Sequence, residues 1–191
     1  MSKKLQTIQL TDETLLIKQL KNVNTKETAF RELITLYKKR LYWHIRKIVI
    51  SHEDADDVLQ NTFIKVFKNI DNFNQESKLY SWMYRIATNE SITFINKRAK
   101  QRNVDISDYQ QELASTLTSD DFFTGDEIQV ILQKAIATLP QKQQLVFNMK
   151  YFDELKYNEM SEILETSVGA LKASYFHAVK KIENYIKKKT N

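Results

Sequence analysis

Residues that end or turn secondary structure are almost absent from this chain. Its 191 residues include two glycines, Gly125 and Gly169, and one proline, Pro140. Hairpins and sheets depend on such residues, because their tight turns need unusual or fixed φ angles. Apolar residues make up 42% of the sequence, which is enough to bury real cores. We therefore predict an all-α fold with one domain or two small ones.

The net charge changes sign along the chain. Residues 1–102 hold 19 Lys/Arg against 11 Asp/Glu, and residues 134–191 hold 10 against 6. Residues 103–133 hold seven acids and no Lys or Arg. Basic segments concentrate near a polyanion such as DNA, whereas an acidic connector is repelled by it. We predict two small helical domains, 1–102 and 127–191, joined by an acidic flexible linker at 103–126.

The last third of the chain contains two helical patterns joined by a short break. Apolar residues recur at three and four positions in Tyr157–Leu164, and again from Val168 to Ile186. Ser167 precedes the second pattern and can cap its free N–H groups. Helices joined by so short a turn cross steeply, and the second can enter a DNA major groove. The spacing predicts a helix-turn-helix, with a plain helical packing motif as the alternative.

Longer helical patterns fill the rest of the chain. One spans Glu27–Ile50, and Ser51 is the predicted N-cap of the next. A third spans Ser77 to about Lys100, beginning with aromatic residues and ending in cations. Pro140 at a first helical position predicts a further helix over residues 141–152. Residues 103–126 lack sustained periodicity, which favours a linker.

The sequence offers little support for catalysis or metal binding. The four acids between Glu53 and Asp57 fall just after the predicted cap at Ser51, where they complement the helix dipole without a metal. The chain has no cysteine, and its three histidines are scattered. It has no glycine-rich phosphate loop and no nucleophile elbow. We expect no enzyme activity, no cofactor and no metal.

The hydropathy pattern favours a cytoplasmic location. The sequence has no run of eighteen apolar residues, and polar residues follow Met1 where a signal peptide would have an apolar core. We expect a cytoplasmic protein that does not insert into membranes.

Four aromatic residues cluster near the start of the third helical pattern: Phe73, Tyr80, Trp82 and Tyr84. Aromatic residues at helical spacing usually belong to a core. Aromatic faces beside cations also hold the unstacked bases of single-stranded DNA, and a polar loop can take a flipped base. Both interpretations remain open from the residues alone.

Taken in order, four segments resemble a bacterial sigma factor of the sigma-70 family, of the small two-domain extracytoplasmic-function (ECF) type. These segments are Asp54–Phe63, Phe73–Asn89, Leu139–Phe147 and Ser167–Lys172. The resemblance implies a subunit that binds core RNA polymerase, recognises promoter −10 and −35 elements and opens the DNA. It also implies an inhibitory anti-sigma partner. The alternatives are a stand-alone helix-turn-helix regulator of duplex DNA and a helical adaptor for an acidic protein.

The resemblance also implies three sets of site residues. Those that would face the polymerase clamp are Asp56, Asp57, Gln60 and Asn61. Those that would act at the −10 element are Phe73, Asn74, Gln75, Glu76, Ser77, Tyr80, Trp82, Arg85, Asn89, Lys97 and Arg98. Those that would act at the −35 element are Ser167, Lys172, Ala173, Ser174, Phe176, His177 and Lys180.

Two features depart from the family pattern. Ser174 and His177 stand where many relatives carry arginine, so two-point recognition of guanine is reduced. Glu165 stands in the turn where relatives often have glycine, the residue that best tolerates a left-handed backbone.

Overall fold

The computed structural model describes residues 10–115 and 127–190, and the regular elements within these ranges are all helical. They are α1 (Leu10–Leu20), α2 (Lys26–Val49), α3 (His52–Asn69), a 3₁₀ turn (Ile70–Asn72), α4 (Leu79–Arg102), α5 (Ile106–Ser115), α6 (Glu127–Ala137), α7 (Gln141–Tyr151), α8 (Tyr157–Leu164) and α9 (Val168–Thr190). The all-α prediction is confirmed.

Two helices begin at the caps that the sequence predicts. The Ser51 hydroxyl accepts a hydrogen bond from the Asp54 backbone N–H at 3.3 Å at the start of α3. The Ser167 hydroxyl accepts one from the Ala170 N–H, also at 3.3 Å, at the start of α9. Each cap satisfies a backbone donor that the helix itself leaves free. Pro140 lies one position earlier than predicted, as the N-cap of α7.

The first domain is built around the mutual packing of α2, α3 and α4. Each helix buries an apolar stripe against the other two, represented by Leu41, Val58 and Met83, all at most 1% exposed. Helix α1, which the sequence analysis did not predict, packs on α2 and buries Leu16 and Leu20. This packing fixes which faces of α3 and α4 remain accessible.

The second domain packs α9 across α6, α7 and α8. Its core contains Ile136, Phe147 and Ile182, each at most 5% exposed. Helices α8 and α9 are joined by residues 165–167, which confirms the predicted helix-turn-helix. Glu165 in this turn has φ 49° and ψ 43°, the left-handed conformation that glycine adopts most easily.

The predicted linker is a packed helix over part of its length. Helix α5 occupies residues 106–115 and packs against α4 and α6, with Tyr109 3% and Gln110 1% exposed. The side-chain amides of Gln110 and Gln144 donate to each other at 3.0 and 3.2 Å. This exchange satisfies both amides, so two polar residues can be buried here. Residues 116–126 of the predicted linker lie outside the described residues.

The two domains pack directly against each other. Helices α7 and α8 contact α2 and α4, and we call this contact the domain interface. Met149, Met160 and Ile163 from the second domain join one continuous apolar core with Leu41 and Tyr84 from the first. Within the described ranges, no helix is long and apolar enough to cross a lipid bilayer.

Candidate protein-binding and nucleic-acid interfaces

The outer face of α3 presents polar side chains to solvent. Asp56, Asp57, Gln60 and Asn61 are all exposed, as a partner-binding role requires. The first acids of this helix follow the Ser51 cap, so the helix dipole accommodates them. The four predicted clamp residues therefore lie together on one accessible face.

An apolar groove lies beside these polar residues. It has a volume of about 560 Å³ and lies between α2 and α3, where Phe30, Ile34, Ile64 and Phe67 line it. The Phe30 ring meets that of Phe67 edge to face, with 4.9 Å between centroids, which holds the groove wall in place. Ile64 is 44% exposed. The groove was not predicted from the sequence, because Phe30 and Phe67 have the helical spacing of core residues.

The aromatic cluster divides between the core and the surface. Phe73 is 3% exposed and Tyr84 is fully buried, so both are core residues. Trp82 and Tyr80 are half-buried on α4. The Trp82 ring lies 5.1 Å from that of Phe73, which supports it from below. Tyr80 and Trp82 therefore remain available for stacking, whereas Phe73 acts through Trp82.

The residues predicted to border a pocket for a flipped base lie in the loop before α4 and on α4 itself. Asn74, Gln75 and Glu76 are exposed in the loop before α4, and Ser77 is half-buried. Asn89 is exposed ten residues after Leu79, the first residue of α4, which is about 15 Å along the helix at 1.5 Å per residue. The place of Asn89 in such a pocket therefore stays a prediction.

The basic end of α4 is directed partly toward α3. Lys97 is exposed, whereas Arg98 donates a hydrogen bond from Nη2 to Asp54 Oδ1 at 3.2 Å. The guanidinium of Arg98 also lies 5.0 Å from the centre of the Phe94 ring. Of these two cations, Lys97 is the one freer to meet a phosphate.

Helix α9 presents the predicted recognition residues on one face. Lys172, Ala173, Phe176, His177 and Lys180 are all exposed. Their spacing of one, four, five and eight residues places them along a single side of the helix. Ser174 is half-buried and Ser167 is exposed.

Phe176 is the most unusual member of this recognition surface. It is 53% exposed, which is large for a phenylalanine in a folded protein. Lys180 places its Nζ 4.5 Å from the Phe176 ring centre. An exposed aromatic ring among cations, on the second helix of a helix-turn-helix, is well placed to meet an apolar group in a major groove.

A buried carboxylate crosses the domain interface. Asp153, in the loop after α7, has a side chain only 5% exposed. Its Oδ2 lies 2.8 Å from His44 Nδ1, and its Oδ1 accepts a hydrogen bond from Lys47 Nζ. Burial alone would raise the pKa of Asp153, but the contacts with His44 and Lys47 outweigh it and hold that pKa below 3.8.

His44 is held on both sides of its ring. Its Nε2 lies 2.9 Å from Thr88 Oγ1, and the Thr88 hydroxyl lies 2.8 Å from the Tyr84 carbonyl, to which it can donate. If Thr88 donates to Tyr84, its oxygen accepts from His44, as does the Asp153 carboxylate. Both ring nitrogens of His44 therefore face a hydrogen-bonding partner, which fixes the orientation of the ring at the domain interface.

Two more carboxylates of the second domain meet side chains of the first, among them Tyr80 and Arg85, which are predicted to act at the −10 element. Glu165 Oε1 accepts from Arg85 Nη1 at 2.9 Å. Glu159 Oε1 lies 3.4 Å from Lys78 Nζ, and Glu159 also hydrogen-bonds Tyr80. Burial alone would raise the pKa of Glu159, but the hydrogen bonds from the Tyr80 hydroxyl and the Lys156 backbone N–H, together with the charge of Lys78, outweigh burial and hold that pKa below its usual value. None of these pairs was predicted from the sequence.

The described residues contain no group of three or more His, Asp or Glu side chains placed to hold a metal ion. Their accessible features are a recognition helix, a half-exposed aromatic face and a groove suited to a protein partner. The fold and these surfaces define a two-domain helical protein of the DNA-binding class.

Comparison with known proteins identifies the family. The family model for Sigma-70 region 2 matches residues 33–101, and that for Sigma-70, region 4 matches residues 129–182. The ECF RNA polymerase sigma factor SigW of Bacillus subtilis is 31% identical, and the alignment covers 84% of this chain and 90% of SigW. The ECF RNA polymerase sigma-E factor of Escherichia coli K12 is 26% identical over 93% of this chain and 95% of its own.

Solved structures agree at the level of fold. CnrH, in complex with the cytosolic domain of CnrY, has a TM-score of 0.68 at 20% identity, over 92% of this chain and 97% of CnrH. The sigma factor RpoE of Bartonella quintana, in complex with the anti-sigma factor NepR, has a TM-score of 0.64 at 18% identity, over 83% of this chain and 96% of RpoE. The chain belongs to the sigma-70 family of RNA polymerase sigma factors, in its ECF group.

Proposed function

We propose that this protein is an alternative sigma factor that binds core RNA polymerase, recognises promoter −10 and −35 elements and promotes DNA opening. The observation that carries the proposal is the presence of both sigma regions, in order, in one chain. A stand-alone helix-turn-helix regulator would need only the second. The protein contributes no catalytic chemistry of its own, and it acts in the cytoplasm, where polymerase and promoter meet.

The polymerase-binding surface is the α3 face together with its apolar groove. Asp56, Asp57 and Gln60 supply the polar rim, and Ile64 and Phe67 supply exposed apolar area. A groove of this kind suits an amphipathic helix, whose apolar side chains enter it while its polar face meets the rim. The charged side chains at the rim speed the encounter with polymerase, and the apolar groove supplies most of the binding affinity.

At the −10 element, the half-exposed aromatics of α4 hold unpaired bases. Tyr80 and Trp82 can each stack on a base, at roughly 1 to 3 kcal/mol per stacked base. Asn74 and Gln75 in the preceding loop are exposed and can hydrogen-bond base edges. Arg85 and Lys97 supply positive charge to the strand backbone.

At the −35 element, recognition depends on phosphate contacts and one apolar contact. Lys172 and Lys180 are exposed at the ends of the recognition surface and suit phosphates. Phe176 suits the C5-methyl group of thymine, which marks A·T pairs in the major groove. Because Ser174 and His177 replace arginine, we expect a −35 element that depends more on thymine than on guanine.

An anti-sigma factor is the regulatory partner that we propose. Among solved structures of similar fold, CnrH was determined in complex with the cytosolic domain of CnrY, and the sigma factor RpoE in complex with the anti-sigma factor NepR. The exposed groove on α3 offers such a partner the same surface that polymerase uses.

Association with core polymerase tests the proposal against its alternatives. Core enzyme and the purified protein are mixed and separated by gel filtration, together with Ile64→Asp and the matched control Thr93→Asp, which lies exposed on α4. We expect the wild type and the control to elute with polymerase and Ile64→Asp to elute largely free. Failure of the wild type to associate would leave the stand-alone regulator as the better interpretation.

A further inference from the structure

Residues 73–78, which connect the 3₁₀ turn to α4 and which we call the −10 loop, are held at their second end by α1. The Glu13 Oε1 atom on α1 accepts a hydrogen bond from the Leu79 backbone N–H at 2.9 Å. Leu79 is the first residue of α4, and the N-cap residue Lys78 makes no side-chain capping hydrogen bond. The first N–H groups of a helix have no partner within that helix, and they attract negative charge. Glu13 therefore caps α4 from 66 residues away.

Two lysines hold the first end of the −10 loop. Lys21, which directly follows α1, donates a hydrogen bond from Nζ to the Phe73 carbonyl at 2.6 Å. Lys26, the first residue of α2, pairs with Asp71 in the 3₁₀ turn at 2.8 Å. The Phe73 side chain is 3% exposed, and Leu79 at the other end is fully buried. Both ends of the loop are therefore fixed by packing and by hydrogen bonds from the first two helices.

Helix α1 keeps Glu13 and Lys21 at a fixed separation. The helical hydrogen bonding extends to Lys21, whose backbone N–H donates to the Ile17 carbonyl at 3.1 Å. Eight residues at 1.5 Å per residue place the two Cα atoms about 12 Å apart along the helix. Leu16 and Leu20 are buried where α1 packs on α2, which fixes α1 on the rest of the domain. One anchored helix therefore supplies a contact to each end of the −10 loop.

The −10 loop contains a residue in an uncommon backbone conformation. Gln75 has φ 59°, which lies in the left-handed region that residues with a side chain rarely adopt. Such conformations persist where the surrounding structure imposes them. Asn74, Gln75 and Glu76 are exposed, so the contacts at Phe73 and Leu79 on either side are the ones that impose this conformation.

A fixed loop binds an unpaired base more tightly than a mobile loop does. A loop that must be ordered at each binding event loses affinity, because the apparent Kd rises as the fraction of molecules already in the binding conformation falls. Asn74 and Gln75 are the loop residues that the proposed function assigns to base edges. The contacts of Glu13 and Lys21 are made with backbone atoms at the two ends, so they fix the loop while both of these side chains stay exposed.

We propose that Glu13 and Lys21 are positioning residues for −10 recognition, which hold the −10 loop in the conformation that takes an unpaired base. The inference rests on the proposed function, which supplies the base. The family model for Sigma-70 region 2 begins at residue 33, so both residues lie outside the part of the chain that it matches. They act through the loop, and their loss therefore changes the recognition of −10 bases while leaving binding to polymerase and to −35 duplex DNA intact.

The test compares double variants of the full chain. The loop-contact variant carries Glu13→Ala and Lys21→Met, which removes one contact at each end of the −10 loop. The control variant carries Lys18→Met and Glu32→Ala, two exposed side chains on α1 and α2, and it has the same net charge as the loop-contact variant. A rescue variant carries Glu13→Gln and Lys21→Arg, which keep a hydrogen-bond acceptor and a donor at the two positions.

The first measurement follows Trp82 fluorescence in the free protein. The chain has two tryptophans, so Trp43→Phe in every variant leaves Trp82 as the single reporter. The Trp82 ring lies 5.1 Å from the ring of Phe73, whose carbonyl accepts from Lys21. We expect acrylamide to quench Trp82 more strongly in the loop-contact variant, and equally in the wild type, the control and the rescue variant. Equal quenching in the loop-contact and control variants would overturn the proposal.

The second measurement uses each protein assembled with core polymerase. The probes are a promoter fragment that yields run-off transcripts with the wild type, and fragments that differ from it at one −10 base. Permanganate detects the opened DNA. If the −10 loop without its two contacts adopts the binding conformation about one fifth of the time, the preference for the original base falls about fivefold. We expect the control and rescue variants to keep the wild-type preference.

Polymerase association and −35 duplex affinity show whether a variant is folded, and we expect both to be unchanged. If the loop-contact variant loses both, Glu13→Ala and Lys21→Met are tested singly against Lys18→Met, and a full base preference in both single variants would overturn the proposal. Transcripts from the loop-contact variant with an unchanged −10 preference would overturn the positioning role alone. Absence of transcripts with the wild type would instead refute the proposed function, and the positioning role with it.

Discussion

Replacing Asp153 with asparagine is the change that most sharply tests the packing of the two domains. The side chain is 5% exposed and bridges His44, which is 1% exposed, and Lys47, which is 16% exposed. Breaking a buried pair by removing one partner costs about 3 to 5 kcal/mol. Here the cost is smaller, because the Lys47 side chain is partly exposed and can reach solvent.

We expect the free energy of unfolding to fall by about 2 to 3 kcal/mol, in line with loss of hydrogen bonds to a charged group. For a chain of this size, that corresponds to a drop in Tm of roughly 5 to 10 °C. Calorimetry of Asp153→Asn measures this loss of stability, with Glu154→Gln as the neighbouring exposed control. A loss in the free energy of unfolding within about 0.5 kcal/mol of that of the control would refute the stabilising contacts of Asp153 with His44 and Lys47.

Acidification of the wild-type protein probes the same carboxylate. The groups that face Asp153 are His44, Lys47, Arg40 and Tyr84, and its pKa lies below 3.8 in the folded protein. A lowered folded-state pKa contributes stability that is fully present above the unfolded value and is lost as pH falls through the folded value. We expect the difference in free energy of unfolding between the wild type and Asp153→Asn to be constant from pH 8 to about 5 and to shrink only at a pH below 3.8, as measured by urea unfolding. A difference that is already lost near pH 5 would contradict the assignment.

Three further predictions follow from the surfaces and the packing. Ile64→Asp places a charge in the α3 groove, and we expect at least a tenfold loss of polymerase affinity by titration, with promoter DNA affinity unchanged. Phe176→Ala should weaken binding to a −35 duplex by about 1 to 3 kcal/mol, and it should abolish the preference for thymine over uracil, which lacks the C5-methyl group; a retained preference would show that another residue reads the methyl. Gln110→Ala leaves the buried Gln144 Oε1 without its donor, whereas Gln144 Nε2 keeps the Ala137 and Leu139 carbonyls, so we expect about 1 to 3 kcal/mol of destabilisation in urea unfolding; an unchanged free energy of unfolding would contradict the buried amide pair.

The helix-turn-helix and the capped helices could be predicted from local sequence alone. Ser51 and Ser167 each lie just before an apolar periodic segment, and a capping hydroxyl acts on backbone groups only three residues away. Such signals need no knowledge of the tertiary structure. The same holds for the overall helical class, which follows from the scarcity of glycine and proline.

Helix α5 was missed because its burial depends on a residue far away in sequence. An acid-rich segment with few apolar side chains resembles a linker, and Gln110 gives no local sign of burial. Its amide is satisfied by Gln144, 34 residues away, and the pair becomes visible only once α7 is placed. Helix α1 was missed for a simpler reason, since the apolar spacing of Leu16, Ile17 and Leu20 spans little more than one turn.

The binding surfaces were predicted in part. Exposure of Asp56, Gln60 and Phe176 agrees with the roles that the family resemblance implies, although those roles remain predictions. Periodicity could not separate Phe73, which is buried, from Trp82, which is half-exposed, because both have helical spacing. The contacts of Asp153 with α2 join residues more than 100 positions apart, which no local pattern reveals.

The central claim is that this chain directs polymerase to promoters, and run-off transcription tests it most directly. Purified core RNA polymerase is incubated with a library of promoter fragments, with and without this protein, and permanganate detects unpaired thymines around the start sites. The account predicts transcripts and open DNA that appear only when the protein is present, from fragments that share −10 and −35 sequences. Transcription unchanged by the protein, together with no polymerase binding, would contradict it.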